Sequence, residues 1–187
     1  MSARATILSN DAKKQTELTN AKFITFTAIF IALTYIFTAF VNIRLPIAAA
    51  GGLIHLGNVP LFICAIIFGK KCGAIAGGVG MALFDLLSGW TAWAPFTLII
   101  VALMGYTVGA ITENHHGLRW DALAISAACM IKIAGYYIAE GILYGSWLTP
   151  AASIPGNLVQ IIAAAIIVLL TVEEQRSFAN RTIITFK

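Results

Sequence analysis

The chain has 187 residues, 59% of them hydrophobic and 11% charged, with a mean hydropathy of +0.88 and a net charge of +4. This composition excludes a soluble globular enzyme and leaves room for a single domain. The basic excess does not indicate nucleic acid, because its distribution follows a different logic.

A bilayer span needs ~20 mostly apolar residues. Six apolar stretches run along the chain, at 23–41, 57–68, 72–87, 93–111, 122–147 and 154–172. Turn or charge signals separate them: Arg44 and Pro46, Lys70 and Lys71, Ser88 and Gly89, Glu113 to Gly117, Thr149 and Pro150, then Glu173 and Glu174. No secretory signal is expected, since the first apolar run starts only at Phe23, after Asp11, Lys13, Lys14 and Glu17, and is long enough to span. The expected fold is an all-α membrane protein, a bundle of six transmembrane helices. Residues 1–21 form a cytoplasmic N-terminal segment, 22–175 the membrane domain and 176–187 a cytoplasmic tail.

Charge sets the orientation. With the N-terminus inside, the cytoplasmic segments hold Arg4, Lys13, Lys14, Lys22, Lys70, Lys71, Arg119, Arg176, Arg181 and Lys187, whereas the external ones hold only Arg44. This asymmetry predicts an N-in/C-in arrangement, and an odd number of spans would break it.

The second stretch is interrupted by Gly51, Gly52, His55, Gly57, Asn58 and Pro60. Pro60 suits a first helical turn and Asn58 a cap, so a helix is expected from about residue 58. It is too short to cross a ~30 Å core alone. The preceding apolar loop must therefore fold in from outside, and irregular backbone at that depth belongs against protein or a cavity. Small residues recur at four-residue spacing in Gly73/Gly77, Ala76/Gly80, Gly105/Gly109 and Gly141/Gly145, a pattern for close helix packing. Ala28/Ala32 has the same spacing on the first span, at the rim. Cys64, Cys72 and Cys129 are scattered in apolar runs and read as core residues rather than metal ligands.

Three ionisable residues fall within spans. Asp85 lies ~20 Å and Lys132 ~17 Å from the cytoplasmic starts of their helices, both near mid-membrane. Either they form a buried structural ion pair, or Lys132 is a substrate ligand. Lys132, Tyr136, Glu140 and Tyr144 follow at four-residue intervals and share one helix face. Such a face turns toward the bundle interior or a water-filled cavity; alternatively Glu140, Tyr144 and Trp147 form an interfacial belt. Asn157 and Gln160 sit at the outer end of the sixth span, either reading a small polar ring or bonding a neighbouring helix. Trp90 and Trp93 are interface anchors, or one of them stacks on a planar ligand. With His55 and Asn58, these residues gather toward the external half.

There is no G-x-x-x-x-G-K-[ST] phosphate loop, no G-x-S-x-G and no H-E-x-x-H. Glu173-Glu174 loosely matches the acidic pair of intramembrane prenyl-protein proteases, but at the wrong depth and spacing. His115-His116 occupies a polar turn, solvated. No catalytic residue, metal site or cofactor is expected, and the chain reads as a capture device without an engine.

These residues resemble a known family. The stretches Gly51-Gly-Leu-Ile-His-Leu-Gly-Asn58, Gly69-Lys-Lys-Cys-Gly-Ala-Ile-Ala-Gly-Gly78, Ala82-Leu-Phe-Asp-Leu-Leu-Ser-Gly89, Ala94-Pro95 and Ile154-Pro-Gly-Asn-Leu-Val-Gln160 are similar to the substrate-binding (S) components of energy-coupling factor (ECF) vitamin transporters, of the riboflavin-type and hydroxymethylpyrimidine or pyridoxine branch. The resemblance implies a six-helix, multi-pass protein of a prokaryotic cell membrane. It implies a vitamin pocket near the outer face and docking on a transmembrane scaffold (T) subunit coupled to two cytoplasmic ATPases. Transport would follow toppling of the S component in the bilayer, powered by those partners. The resemblance assigns scaffold docking to Ala28 and Ala32. It assigns substrate binding to the region holding His55, Asn58, Trp93, Lys132, Tyr136, Glu140, Tyr144, Asn157 and Gln160. His55 and Asn58 stand where relatives more often carry Asn and Asp.

The expected substrate is a small heteroaromatic vitamin or precursor, hydroxymethylpyrimidine or pyridoxine, with pantothenate and riboflavin as competitors. An intramembrane enzyme would need a nucleophile or metal cluster at depth. A ligand-free scaffold or assembly protein would have Asp85, Lys132 and Glu140 all in ion pairs and no cavity.

Overall fold

A computed structural model describes residues 3–44 and 53–181, with side chains for 18–43 and 53–181. The side chains of Arg4, Lys13, Lys14 and Arg44, and the residues Pro46, Gly51, Gly52 and Lys187, lie outside what is described, and so do the expectations placed on them. Six α-helices run through the described chain: α1 (Ala3–Phe40), α2 (Asn58–Phe68), α3 (Lys70–Leu87), α4 (Ala94–Asn114), α5 (Leu118–Tyr144) and α6 (Ile154–Arg181). A 3₁₀ turn, Thr149–Ser153, leads into α6. The expected domain boundaries at 21/22 and 175/176 fall inside α1 and α6.

One element was not expected. β1 (Asn42–Arg44) pairs antiparallel with β2 (Leu53–His55), placing Asn42 opposite His55 and Ile43 opposite Ile54. The apolar segment after α1 thus returns to the bundle as a small sheet. The pairing satisfies backbone groups at an apolar end, where an unpaired peptide is costly.

Four helical segments are long and apolar enough to cross a membrane: Leu18–Phe40, Ala94–Asn114, Leu118–Tyr144 and Thr149–Arg181. The 11 residues of α2 reach only ~16 Å. It is apolar all round and correspondingly lies inside, with Leu61 and Phe62 fully buried. Asn58 is the first helical residue rather than the cap; Gly57 holds that position. A Cβ on Gly57 would lie 2.1 Å from Thr38 Oγ1, so α1 presses on the chain there and leaves no room for a capping side chain.

Small residues set the helix contacts. α3 packs most extensively on α4, and α1 lies along α3. A Cβ on Gly105 would stand 2.4 Å from the Gly73 carbonyl oxygen, so α3 and α4 meet backbone to backbone. Gly80 meets the Ile31 carbonyl of α1 in the same manner. The pair Gly141/Gly145 behaves differently: Gly141 packs on Trp147, while Gly145 ends α5 in the left-handed conformation. Cys64 and Cys72 are buried free thiols 3.1 Å apart, with Thr27 Oγ1 at 3.2 Å from Cys72.

The outside of the bundle is apolar. Ile99 is 61% exposed, Met130 69% and Leu170 78%, and similar residues surround α1, α4, α5 and α6. Water would not support such a continuous apolar girdle, whereas lipid requires it. At one end, Lys70 pairs with Glu113 at 2.9 Å, and Arg176 holds the fully buried Asp121 at 2.9 Å, joining α3 to α4 and α5 to α6.

Candidate functional site

A cavity of about 80 Å³ opens at the other end, where α3 finishes and α4 and α6 begin. The helical repeat explains its lining. Lys132, Tyr136 and Glu140 form an i, i+4 row on α5, and Trp93 and Thr97 form another at the start of α4. Met81 and Asp85 form a third on α3. His55 and Leu53 come from β2, and Asn157 and Gln160 from the first turns of α6.

A relay of hydrogen bonds fixes the cavity wall. Lys132 Nζ donates to Gln160 Oε1 at 2.8 Å, and Gln160 Nε2 donates to the Leu53 carbonyl at 2.9 Å. One amide therefore ties α5 to α6 and α6 to the hairpin. Ser153 Oγ donates to Glu140 Oε2 at 2.7 Å, anchoring the 3₁₀ turn on α5. Tyr136 hydroxyl donates to Thr97 Oγ1 at 3.2 Å, joining α5 to α4. His55 Nδ1 accepts from the Gly57 N–H at 3.2 Å, so the neutral ring carries its proton on Nε2. Desolvation on packing, followed by the charge of Lys132, holds the His55 imidazole well below its ordinary pKa.

Aromatic rings supply the flat surfaces. Trp90 and Trp93 meet edge to face at 5.4 Å, and Tyr144 backs Trp93 at 5.7 Å. Lys132 Nζ lies 5.8 Å from the Tyr136 ring centre. The site thus combines planar apolar faces, one ammonium, and carboxylates from Asp85 and Glu140.

Among the residues singled out in the sequence, His55, Trp93, Lys132, Tyr136, Glu140, Asn157 and Gln160 line this one cavity. Tyr144 does not, because the α5 row climbs past the mouth and leaves it 39% exposed behind Trp93. Asn58 is also outside the lining, fully buried at the start of α2, and neither atom of its amide has a hydrogen-bond partner among the described residues. The Asp85–Lys132 ion pair does not form among the described residues: Lys132 takes Gln160, and Asp85 sits beside Thr97. Besides Thr38, Leu53, Met81 and Phe84, which the sequence does not single out, the lining includes Asp85, expected in an ion pair, Trp90, expected as an anchor or a stacking face, and Thr97. The signal for Asp85 and Thr97 was present, as a charge at membrane depth and a Trp93/Thr97 row at four-residue spacing. Among the described residues no cluster of three metal-ligating side chains occurs.

Residues 18–175 match the family described as "ECF-type riboflavin transporter, S component". The chain is 30% identical over 148 residues to "Thiamine precursor transporter HmpT" of Lactococcus lactis subsp. cremoris (strain MG1363), which covers 79% of this chain and 84% of that protein. It is 31% identical over 125 residues to "Uncharacterized protein in gap 3'region" of Pyrococcus woesei, covering 67% of this chain and 83% of that one. The chain belongs to the S-component family of ECF-type transporters, multi-pass proteins of the prokaryotic cell membrane that serve uptake of vitamins and their precursors.

Proposed function

We propose that this chain captures a single-ring heteroaromatic vitamin precursor, hydroxymethylpyrimidine or pyridoxine, and delivers it to partner subunits that hydrolyse ATP. The observation that carries this reading is the cavity itself, lined by two carboxylates, one ammonium, tryptophan faces, neutral polar groups such as His55, Asn157 and Gln160, and apolar Leu53, Met81 and Phe84. Its size fits one ring. About 80 Å³ accommodates roughly six water-sized volumes at ~10–15 Å³ each. Riboflavin, with three fused rings and a polyol tail, is a poor match for that space. Pantothenate would place its carboxylate at Lys132, yet Asp85 and Glu140 on the same lining would repel an anion. A precursor ring also agrees with the name of the Lactococcus relative.

In this reading six helices span the bilayer with both termini inside, so the cavity faces outward and the Lys70–Glu113 and Asp121–Arg176 end faces the cytoplasm. Ten basic residues on the inner side against Arg44 outside support that orientation. The transmembrane scaffold subunit, itself joined to two ATPases, docks on α1 through Ala28 and Ala32. Both alanines are exposed, away from the face that carries the buried Thr27, Thr34 and Thr38. A small-residue face in lipid is where a second helix approaches closely. A ligand-free scaffold protein is the weaker reading, because Asp85, Lys132 and Glu140 form no ion pair among the described residues and a cavity lies between them.

The test is mass spectrometry of small molecules released on denaturing the detergent-purified, uncomplexed chain. One substituted pyrimidine or pyridine per chain is the expected result. An empty preparation that also binds no member of a vitamin panel would transfer the assignment to the scaffold reading.

A further inference from the structure

We infer that Asp85 is the residue that selects the ring, by accepting hydrogen bonds from an amino-substituted, amidine-type edge. This inference rests on the capture reading and adds the substrate class that the site prefers. Four observations lead to it. Asp85 lines the cavity from α3, one helical turn beyond Met81, which lines it too. Its Oδ2 is sealed from solvent and has no hydrogen-bond partner among the described residues. Lys132, which lines the same cavity, donates to Gln160 and forms no ion pair with Asp85 among the described residues. The other carboxylate, Glu140, already accepts from Ser153.

A buried carboxylate oxygen without a donor is costly, and such groups in folded proteins find a partner. Thr97 can supply only one hydroxyl proton, and that hydroxyl also accepts from Tyr136. A turn of the carboxylate about its Cβ–Cγ bond would present that unused acceptor to a ligand in the cavity that Asp85 lines. A carboxylate presents two parallel acceptors, and the matching ligand edge presents two parallel donors. An exocyclic amino group beside a ring nitrogen provides this pattern when one proton, taken up from solvent with the ligand, sits between that nitrogen and the carboxylate. A ring with a carbonyl in place of the amino group keeps a ring N–H but turns the other donor into an acceptor, which faces a carboxylate oxygen unfavourably. A pyridine bearing only hydroxyl groups offers one donor at most along such an edge. Trp90 and Trp93, on the neighbouring turn, supply a face for the ring while Asp85 reads its edge.

The experiment uses the full chain in detergent, with ligand affinity read from quenching of tryptophan fluorescence and checked by calorimetry. The probes are 4-amino-5-hydroxymethyl-2-methylpyrimidine, its 4-oxo counterpart and pyridoxine. The wild type is expected to favour the amino ring over the oxo ring by about 100-fold or more, since a lost charge-assisted pair leaves a buried carboxylate unmatched. Asp85→Asn is expected to weaken the amino ring by about 30- to 100-fold. It should also tighten the oxo ring, because an amide can donate to a carbonyl. That crossover separates edge reading from damage to the fold. Retention of the amino ring within about threefold in Asp85→Asn overturns the assignment while leaving capture intact. Equal loss of all three rings in that variant also overturns it, since a merely structural residue behaves so. A wild type that binds none of the three rings overturns the capture reading itself, and Asp85 with it.

Discussion

Lys132 of α5 and Gln160 of α6 form a 2.8 Å hydrogen bond, and the same glutamine holds the Leu53 carbonyl of the hairpin at 2.9 Å. Both side chains are nearly inaccessible, at 2% and 3% exposure. Gln160 is thus a strut rather than a free amide reader, with both ends of its side chain occupied. Gln160→Leu keeps the volume and removes both bonds. The hydrogen bond to a charged group contributes about 1.5–3 kcal/mol, so a lower unfolding temperature is expected. Faster amide exchange across 53–57 should accompany it. If exchange there is unchanged, the hairpin is held by something other than Gln160.

Glu140 and Lys132 line the same cavity with opposite charge, and a ligand must favour one of them. For a neutral or cationic ring, Glu140→Gln is expected to lose about tenfold or more in affinity. Lys132→Met should bind within a few-fold of wild type once its folded fraction is matched. The reverse pattern, loss in Lys132→Met and retention in Glu140→Gln, would identify a carboxylate ligand and restore pantothenate as the substrate. Calorimetric titration of the two variants decides it.

The sequence was most informative where one-dimensional pattern suffices. Each apolar stretch became a helix, and the start of α2 near residue 58 followed from Pro60. Hydropathy reports the lipid-crossing part of a helix, not its ends, so α1 and α6 run on past the expected boundaries into polar sequence. The hairpin was not legible, because three-residue strands carry too little alternation to register against their apolar surroundings. The partner of Lys132 was not legible either. Depth along a helix follows from residue count, but rotation about its axis follows from packing. Asp85 and Lys132 share a level and a cavity, yet Gln160 stands closer.

Gly105 tests the packing of α3 on α4. An added methyl group there would meet the Gly73 carbonyl oxygen at 2.4 Å and its carbon at 2.5 Å. Backbone cannot turn aside as a side chain can, so the helices must separate. Gly105→Ala is expected to destabilise the bundle by about 1–3 kcal/mol, seen as a lower unfolding temperature in detergent. A variant as stable as wild type would show that the two backbones do not touch at this level.

Ala28 and Ala32 provide a prediction about assembly that is separable from binding. Both lie exposed on α1, near the exposed Ile24, Ile29 and Ile36, so enlarging them disturbs no core. Ala28→Trp and Ala32→Trp should leave ligand affinity and unfolding temperature as in wild type. Uptake by intact cells should fall to background, and co-purification with the scaffold subunit should weaken. Should uptake survive both changes, the docking surface lies elsewhere, because a lipid-facing position tolerates a tryptophan.

His55 gives the site a pH dependence whose sign follows from its surroundings. Desolvation on packing, then the charge of Lys132, lower its pKa below the ordinary value, about 6.5. The released hairpin therefore binds a proton that the packed hairpin rejects, and the packed state is favoured more as pH rises. This contribution is complete above about pH 6.5 and is lost as pH falls below it. Ligand affinity, which depends on the hairpin wall, should decline from pH 6.5 toward 5. Asp85, Glu140 and Lys132 share the cavity and titrate on their own account, so the informative quantity is the difference between wild type and His55→Asn. The asparagine variant should show the shallower profile over that interval. Superimposable profiles would mean that the histidine keeps the same proton affinity whether the hairpin is packed or released.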